Sequence, residues 1–284
     1  MKNFWVRTLS ALVYVVLFLG TLLSGRLLGN PQLGLALFGA FLLFVAVGGT
    51  FEFYRIVRSQ QASPCQWLGY LLVVAVMVVT IVIPLLNGLA GFKVGLLSIM
   101  VVPALFPLAV IAQLWKHSDQ PFRDAAYTLV PALYLALPLS LMIAMIPDVG
   151  ARVVLMLILM VWSNDNFAYM GGSLVGKHKM WERHSPGKTW EGTAIGVLLT
   201  IVLASFIGPL IQPAVAWYHW TALAAIVSVA ATLGDLAESM LKRSVQFKDS
   251  GRIMPGHGGF LDRFDSLLVA VPFAFLYIFL AEIL

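Results

Sequence analysis

Charge and cysteine are both scarce in this sequence. Only 11% of the 284 residues are Asp, Glu, Lys or Arg, where a soluble domain carries about 25%. So few ionised side chains cannot cover a water-facing surface, which excludes a soluble globular enzyme. The one cysteine, Cys65, excludes an intramolecular disulfide and any multi-cysteine zinc or iron–sulfur centre. Disorder needs low hydrophobicity, whereas this chain is 60% hydrophobic with a mean hydropathy of +0.91. Also missing are an internal repeat, a low-complexity tract and the apolar-out, polar-in alternation of a transmembrane barrel.

What is present is a series of long apolar runs. A bilayer core takes about 20 apolar residues per helix, and nine stretches answer to that: 8–25, 33–51, 67–86, 94–115, 125–146, 153–171, 193–211, 217–240 and 266–283. The expected fold class is therefore all-α, a polytopic integral membrane protein with about nine transmembrane helices. The first run follows Lys2 and Arg7 as a signal sequence would. Eight more spans and the lack of an A-x-A-like site near Ser24 make it an uncleaved helix.

Basic residues set the orientation. With the N-terminus cytoplasmic, that side receives 15 of the 18 Lys and Arg residues, and only Arg26, Lys93 and Arg152 fall outside. An odd number of spans then leaves Leu284 outside. The sequence pI near 9.4 follows from cytoplasmic loops beside anionic lipid, so no nucleic-acid partner is expected. Two regions separate on loop character. Residues 1–150, spans one to five, form a lipid-facing scaffold with short loops. Residues 151–284, spans six to nine, form a catalytic region with charged cytoplasmic loops at 172–192 and 241–265.

The second loop and its borders concentrate the ionisable chemistry. Asp235, Glu238, Asp249, Asp262 and Asp265 place five of the 13 carboxylates within 31 residues, interleaved with Lys242, Arg243, Lys248, Arg252 and Arg263. Acids inside a span are costly and usually face a polar cavity. On a helix, Asp235, Glu238, Ser239 and Lys242 share one face. The run Pro255-Gly256-His257-Gly258-Gly259 breaks the helix, and its glycines allow close backbone approach to a ligand. Asp262 and Asp265 then lie one turn apart. Paired carboxylates favour a cation between them, and hard oxygen donors suit Mg²⁺, which fills its other positions with substrate phosphates and water.

The first loop is prepared by Ser163-Asn164-Asp165-Asn166, four polar residues inside the sixth span, which line a cavity or a helix contact rather than lipid. Gly187-Lys188-Thr189 imitates the end of a P-loop. Glu182 stands where that motif needs glycine, and no strand is expected before it, so the P-loop reading fails. A loop of Lys, His, Gly and Ser remains, suited to holding a polyanion.

Together these motifs resemble the phosphatidate cytidylyltransferase (CDP-diacylglycerol synthase) family. The string carrying the resemblance runs Ser239, Lys242, Arg243, Lys248, Asp249, Pro255, His257, Gly258, Gly259, Asp262, Arg263, Asp265. Gly234-Asp235 with Glu238-Ser239, Asp165 with Ala168-Tyr169, the Gly176-Lys177-His178-Lys179 run and Ser185-Pro186-Gly187-Lys188-Thr189-Trp190 match as well. The match is sharp over about residues 160–270. Ser173, where a basic residue is expected, and Glu182, where many members have proline, depart from the pattern.

The resemblance implies a reaction in phospholipid biosynthesis: CTP and phosphatidic acid give CDP-diacylglycerol and diphosphate. It implies Mg²⁺ as one or two ions, with a monovalent cation left open, and a homodimer. Asp235 and Asp262 become the first candidate metal ligands, with Asp249 and Asp265 as further ones. Lys242, Arg243, Lys248 and Arg263 would bind phosphates, with His257 in the same catalytic string. Asp165, Lys177, Lys179, Ser185, Lys188, Thr189, Ser239, Gly258 and Gly259 would complete the substrate site. The resemblance also implies a multi-pass protein of the bacterial inner or cytoplasmic membrane, active on its cytoplasmic side. Two other readings compete: a cytidylyltransferase or kinase for another lipid, and a cation-coupled secondary transporter.

Overall fold

The computed structural model describes residues 2–87, 91–116, 118–247, 250–251 and 258–281. Among the described residues nine helical stretches are long and apolar enough to cross a membrane, and each overlaps one expected span. The chain is an all-α, multi-pass membrane protein. Backbone N–H and C=O groups in hydrocarbon have no water to bond, so helices that satisfy them internally are the stable solution.

The chain divides into two compact units, Met1–Asp148 with Phe247–Arg263, and Val149–Gln246 with Phe264–Leu284. The segment Phe247–Arg263, which the sequence reading groups with spans six to nine, is thus counted with the N-terminal helices.

In the first unit, α1 (Lys2–Leu27) and α2 (Pro31–Arg58) form a hairpin. Asn30 caps α2 by accepting from the Leu33 amide at 3.1 Å, and Pro31 occupies the first turn, where a missing N–H costs nothing. A Cβ on Gly34 would stand 2.3 Å from Gly25 Cα, the small-residue contact by which membrane helices pack closely. α3 (Gln66–Asn87) follows. The fourth span is broken into α4 (Gly91–Ala104) and α5 (Phe106–Ala112) between Pro103 and Pro107. The fifth joins α6 (Pro121–Pro131) to α7 (Leu137–Val149) through one π-helical turn, Ala132–Ala136. Pro131 donates no hydrogen bond, and a widened turn is a common way to absorb such a break.

The second unit contains α8 (Ala151–Val175), a two-stranded antiparallel hairpin of β1 (Lys179–Trp181) and β2 (Ser185–Thr189), α9 (Trp190–Ile211), α10 (Trp217–Ser244) and the body of α11 (Leu261–Leu280). The hairpin is a difference from the irregular loop expected at 172–192. Its ladder is short, and its ends are tied by Glu191, which accepts from the backbone amides of Lys177 and His178 at 3.2 and 3.1 Å and lies 2.5 Å from His178 Nδ1. α8 and α10 also run past the expected ends at 171 and 240. Helical hydrogen bonding continues after the apolar stretch stops.

Candidate active site

Within the second unit, glycines bring α8 and α9 together. A Cβ on Gly192 would lie 2.6 Å from the Ala168 carbonyl, and one on Gly196 would lie 2.9 Å from the Asn164 carbonyl. Backbone contact at this range fixes where the polar turn of α8 faces. Gly234 does the same between α10 and α11, since its Cβ would be 2.7 Å from the Asp265 carbonyl and 3.1 Å from Ser266 Cα. The neighbours of that contact are the acids Asp235 and Asp265.

These junctions surround a cavity of about 360 Å³, lined by Asn164 and Asp165 of α8, Ser185 and Lys188 of β2, and Thr232 and Asp235 of α10, with Tyr169, Gly172, Ser173 and Thr189 among the rest of its wall. The size is within the roughly 300–1,000 Å³ of small-molecule sites. Lys188 Nζ stands 2.7 Å from Asp235 Oδ2 and 3.3 Å from the Thr232 carbonyl. Both partners remain partly solvent-exposed, so this pair adds little to stability. Ser266 Oγ lies 3.5 Å from Asp165 Oδ2, and the Ser266 amide donates to Asp265 Oδ1 at 2.6 Å. Asp165, Asp235 and Asp265 are near enough for their charges to act on one another. Beside them the buried Glu238 pairs with Lys242 at 2.5 Å. Asp165, Asp235, Asp265 and Glu238 thus gather with Lys188 and Lys242 in one region of the second unit.

Among the described residues no three His, Cys, Asp or Glu side chains close into a metal cage. Mg²⁺ requires none, because it binds through one or two carboxylates and fills its shell with substrate phosphates and water. The donor set here is all oxygen, which fits that ion.

Other expected site residues take different places. Thr189 is buried and caps α9, accepting from the Gly192 amide at 3.2 Å. Ser239 Oγ donates to Asp235 Oδ1 at 3.4 Å. Arg243 ends α10 on the surface, and Lys177 and Lys179 are exposed on the hairpin side, outside the cavity wall. Ser173 stands in the wall, so the departure from the family pattern places a hydroxyl there. Lys248, Asp249 and His257 lie outside the described residues.

Gly258, Gly259, Asp262 and Arg263 belong to the first unit. There Asp262 Oδ2 accepts from the Gly259 amide at 2.7 Å and from the Ser250 amide and hydroxyl, both at 2.9 Å. Gly258 has φ of 82°, and a Cβ on it would meet Asp262 Oδ2 at 2.4 Å. The close approach read from these glycines is thus an approach to the protein's own carboxylates. Sequence reasoning missed Thr232, which lines the cavity, and Asn164, read only as part of a polar run. It also missed Glu52, the one acid of α2, whose sequence gave no signal of its partners.

A lysine and two acids, Lys188, Asp165 and Asp235, line a cavity between membrane-spanning helices, an arrangement that suits a membrane-embedded enzyme. The chain belongs to the cytidylyltransferase family, whose model matches residues 5–281. It is 32% identical to the phosphatidate cytidylyltransferase of Staphylococcus saprophyticus over 94% of this chain and 96% of that protein. It is 38% identical to the enzyme of the same name from Bacillus subtilis over 56% of this chain and 60% of that one, and 30% identical to that of Staphylococcus aureus over 94% and 96%.

Proposed function

We infer that this protein is a phosphatidate cytidylyltransferase, a CTP-dependent nucleotidyltransferase of phospholipid biosynthesis. The observation carrying the reading is the Lys188–Asp235 pair in the cavity of the second unit, in a chain that aligns with its Staphylococcus saprophyticus relative over 94% of its length. A phosphate oxygen of phosphatidic acid attacks the α-phosphorus of CTP. The bond to the β-phosphate breaks, and diphosphate leaves with that bond's electron pair. The lipid phosphate is already ionised at neutral pH, so no general base is needed. Positioning and electrostatics supply most of the rate in such transfers.

Lys188 neutralises phosphate charge at the mouth of the acidic cluster, while Asn164, Ser185 and Thr232 offer neutral hydrogen-bonding groups around it. Asp235, with Asp165 or Asp265 beside it, would hold Mg²⁺ among the described residues, and Asp249 and Asp262 remain expected ligands from the signature. Bound Mg²⁺ would draw charge from the attacking and leaving oxygens. Lys242, Arg243, Lys248 and Arg263 supply further cations for the triphosphate.

Incubation of the purified protein with labelled CTP, phosphatidic acid and Mg²⁺ is the test. CDP-diacylglycerol and diphosphate are the expected products, and ATP should not replace CTP. Equal use of ATP, or release of ADP, would transfer the reading to a lipid kinase. No nucleotide consumption at all would favour a transporter.

The cytoplasmic placement of the site rests on the 15-to-3 division of basic residues. A reporter that fluoresces only in the cytoplasm, fused after Leu284, should stay dark. A bright fusion would overturn the orientation.

A further inference from the structure

Glu52 sits in α2, in the half of the chain that the reaction otherwise leaves unexplained. It is 1% exposed, in a helix whose neighbouring residues are mostly apolar. A buried carboxylate is retained only where its oxygens are satisfied, and those of Glu52 are satisfied by one short stretch of chain. Oε1 accepts from the Phe260 amide at 3.1 Å, and Oε2 accepts from the Leu261 amide and the Ser250 hydroxyl, both at 3.0 Å. The first two donors belong to the opening of α11, where a helix leaves amides without partners and favours negative charge. Glu52 therefore caps α11 from another helix.

The surrounding glycines are shaped to this carboxylate. A Cβ on Gly251 would lie 2.1 Å from Glu52 Oε1, and one on Gly259 would lie 2.2 Å from the same atom. Phe260 packs its ring on Gly48, one turn earlier in α2, and edge-on against Phe44. Arg55, one turn later, donates to the Ser250 carbonyl at 2.5 Å. Four residues along one face of α2 thus grip the two ends of the signature turn.

The grip reaches Asp262. Ser250 Oγ lies 3.0 Å from Glu52 Oε2 and 2.9 Å from Asp262 Oδ2, so one hydroxyl stands between the two carboxylates and gives its single proton to one of them at a time. The Gly259 amide, beside the capped Phe260, also donates to Asp262 Oδ2. One oxygen of Asp262 is thereby fixed by groups that Glu52 itself holds.

We propose that Glu52 is a positioning residue: it locks the turn formed by Ser250, Gly251 and Gly259–Leu261 and thereby sets the orientation of the Asp262 carboxylate. The proposal rests on the cytidylyltransferase reading, in which Asp262 serves the metal-dependent step. It gives the N-terminal half a role in the reaction beyond anchoring the protein in lipid.

The test uses the full-length protein in detergent or nanodiscs, with Mg²⁺ and CTP as probes. Glu52→Gln keeps the volume but turns a donor toward one of the two α11 amides. It should raise the Mg²⁺ concentration for half-maximal turnover by about ten- to a hundredfold, as loss of an outer-shell partner does. Amide exchange at Phe260 and Leu261 should accelerate, while the rest of α2 and α11 keep wild-type protection. Glu52→Asp should recover part of both effects. Where Glu52→Gln does not fold, Ser250→Ala, which removes only that hydroxyl, should show the same Mg²⁺ shift at smaller size.

Wild-type Mg²⁺ dependence in folded Glu52→Gln or Ser250→Ala would overturn the proposal. So would an exchange increase spread evenly over the protein with turnover per folded molecule unchanged. If the wild type makes no CDP-diacylglycerol, the functional reading fails by itself. Exchange at Phe260 and Leu261 would still decide whether Glu52 holds the turn.

Discussion

Two sets of acids inside membrane-spanning helices are treated in opposite ways. In the first unit, Glu52 is buried and its two oxygens are met by the Phe260 and Leu261 amides and the Ser250 hydroxyl. In the second, Asp235 is partly exposed in a cavity and shares Lys188 with other acids in electrostatic range. A carboxylate whose lone pairs are filled by backbone donors fixes geometry and has little left for a ligand. A cluster with more acid than base has capacity that a cation and a polyphosphate can use. The first arrangement suits the support of a site, and the second suits the site itself.

The sharpest way to break that comparison is Asp235→Asn. It removes one charge from the cluster at almost constant volume. Turnover should fall by about a hundredfold or more, the scale of losing several kcal/mol of charge stabilisation. Expression and thermal unfolding should stay near wild type, because the Lys188 pair is partly exposed. Loss of folding with little loss of specific activity would assign Asp235 the structural part and reverse the comparison.

Gly234→Ala should act next most strongly. Its new methyl would meet the Asp265 carbonyl at 2.7 Å and force α10 and α11 apart at the acids. Overpacking of this kind costs about 1–3 kcal/mol, so the melting temperature should fall together with activity. Wild-type activity in this variant would show that the spacing between Asp235 and Asp265 is not critical.

The smallest effect is expected at Glu182→Gln. Glu182 is exposed at the tip of the β-hairpin, away from the cavity wall. Exposed substitutions of this sort stay within about 0.5 kcal/mol, and steady-state kinetics should match wild type. A several-fold change in the KM for CTP would extend the site to the hairpin tip.

Much of the fold was legible because hydropathy reports it directly. Runs such as 67–86 and 193–211 carry almost no charge and must lie in lipid. Helix ends were less legible, since α8 and α10 continue into polar sequence through backbone bonding that no side chain announces. The β-hairpin was invisible because Lys179-Met180-Trp181 has no alternation long enough to detect. Of the site, the acids at 165, 235, 262 and 265 stood out as charges where charge is costly. Glu52, equally a charge in an apolar run, went unread. Its partners lie about 200 positions away, and two of them are backbone amides, which leave no trace in residue type. The same blindness hid that a Cβ on Gly258 or Gly259 would meet the carboxylates of Asp262 and Glu52.

We assign the divalent cation and the nucleotide to the acidic cavity of the second unit, with the Glu52 turn only tuning that binding. Electron paramagnetic resonance of Mn²⁺, used in place of Mg²⁺ with CTP present, measures this without turnover. Wild type should show saturable bound Mn²⁺ that depends on CTP, Glu52→Gln should bind it more weakly, and Asp235→Asn should lose it. Undiminished Mn²⁺ binding in Asp235→Asn would place the cation elsewhere and overturn that assignment.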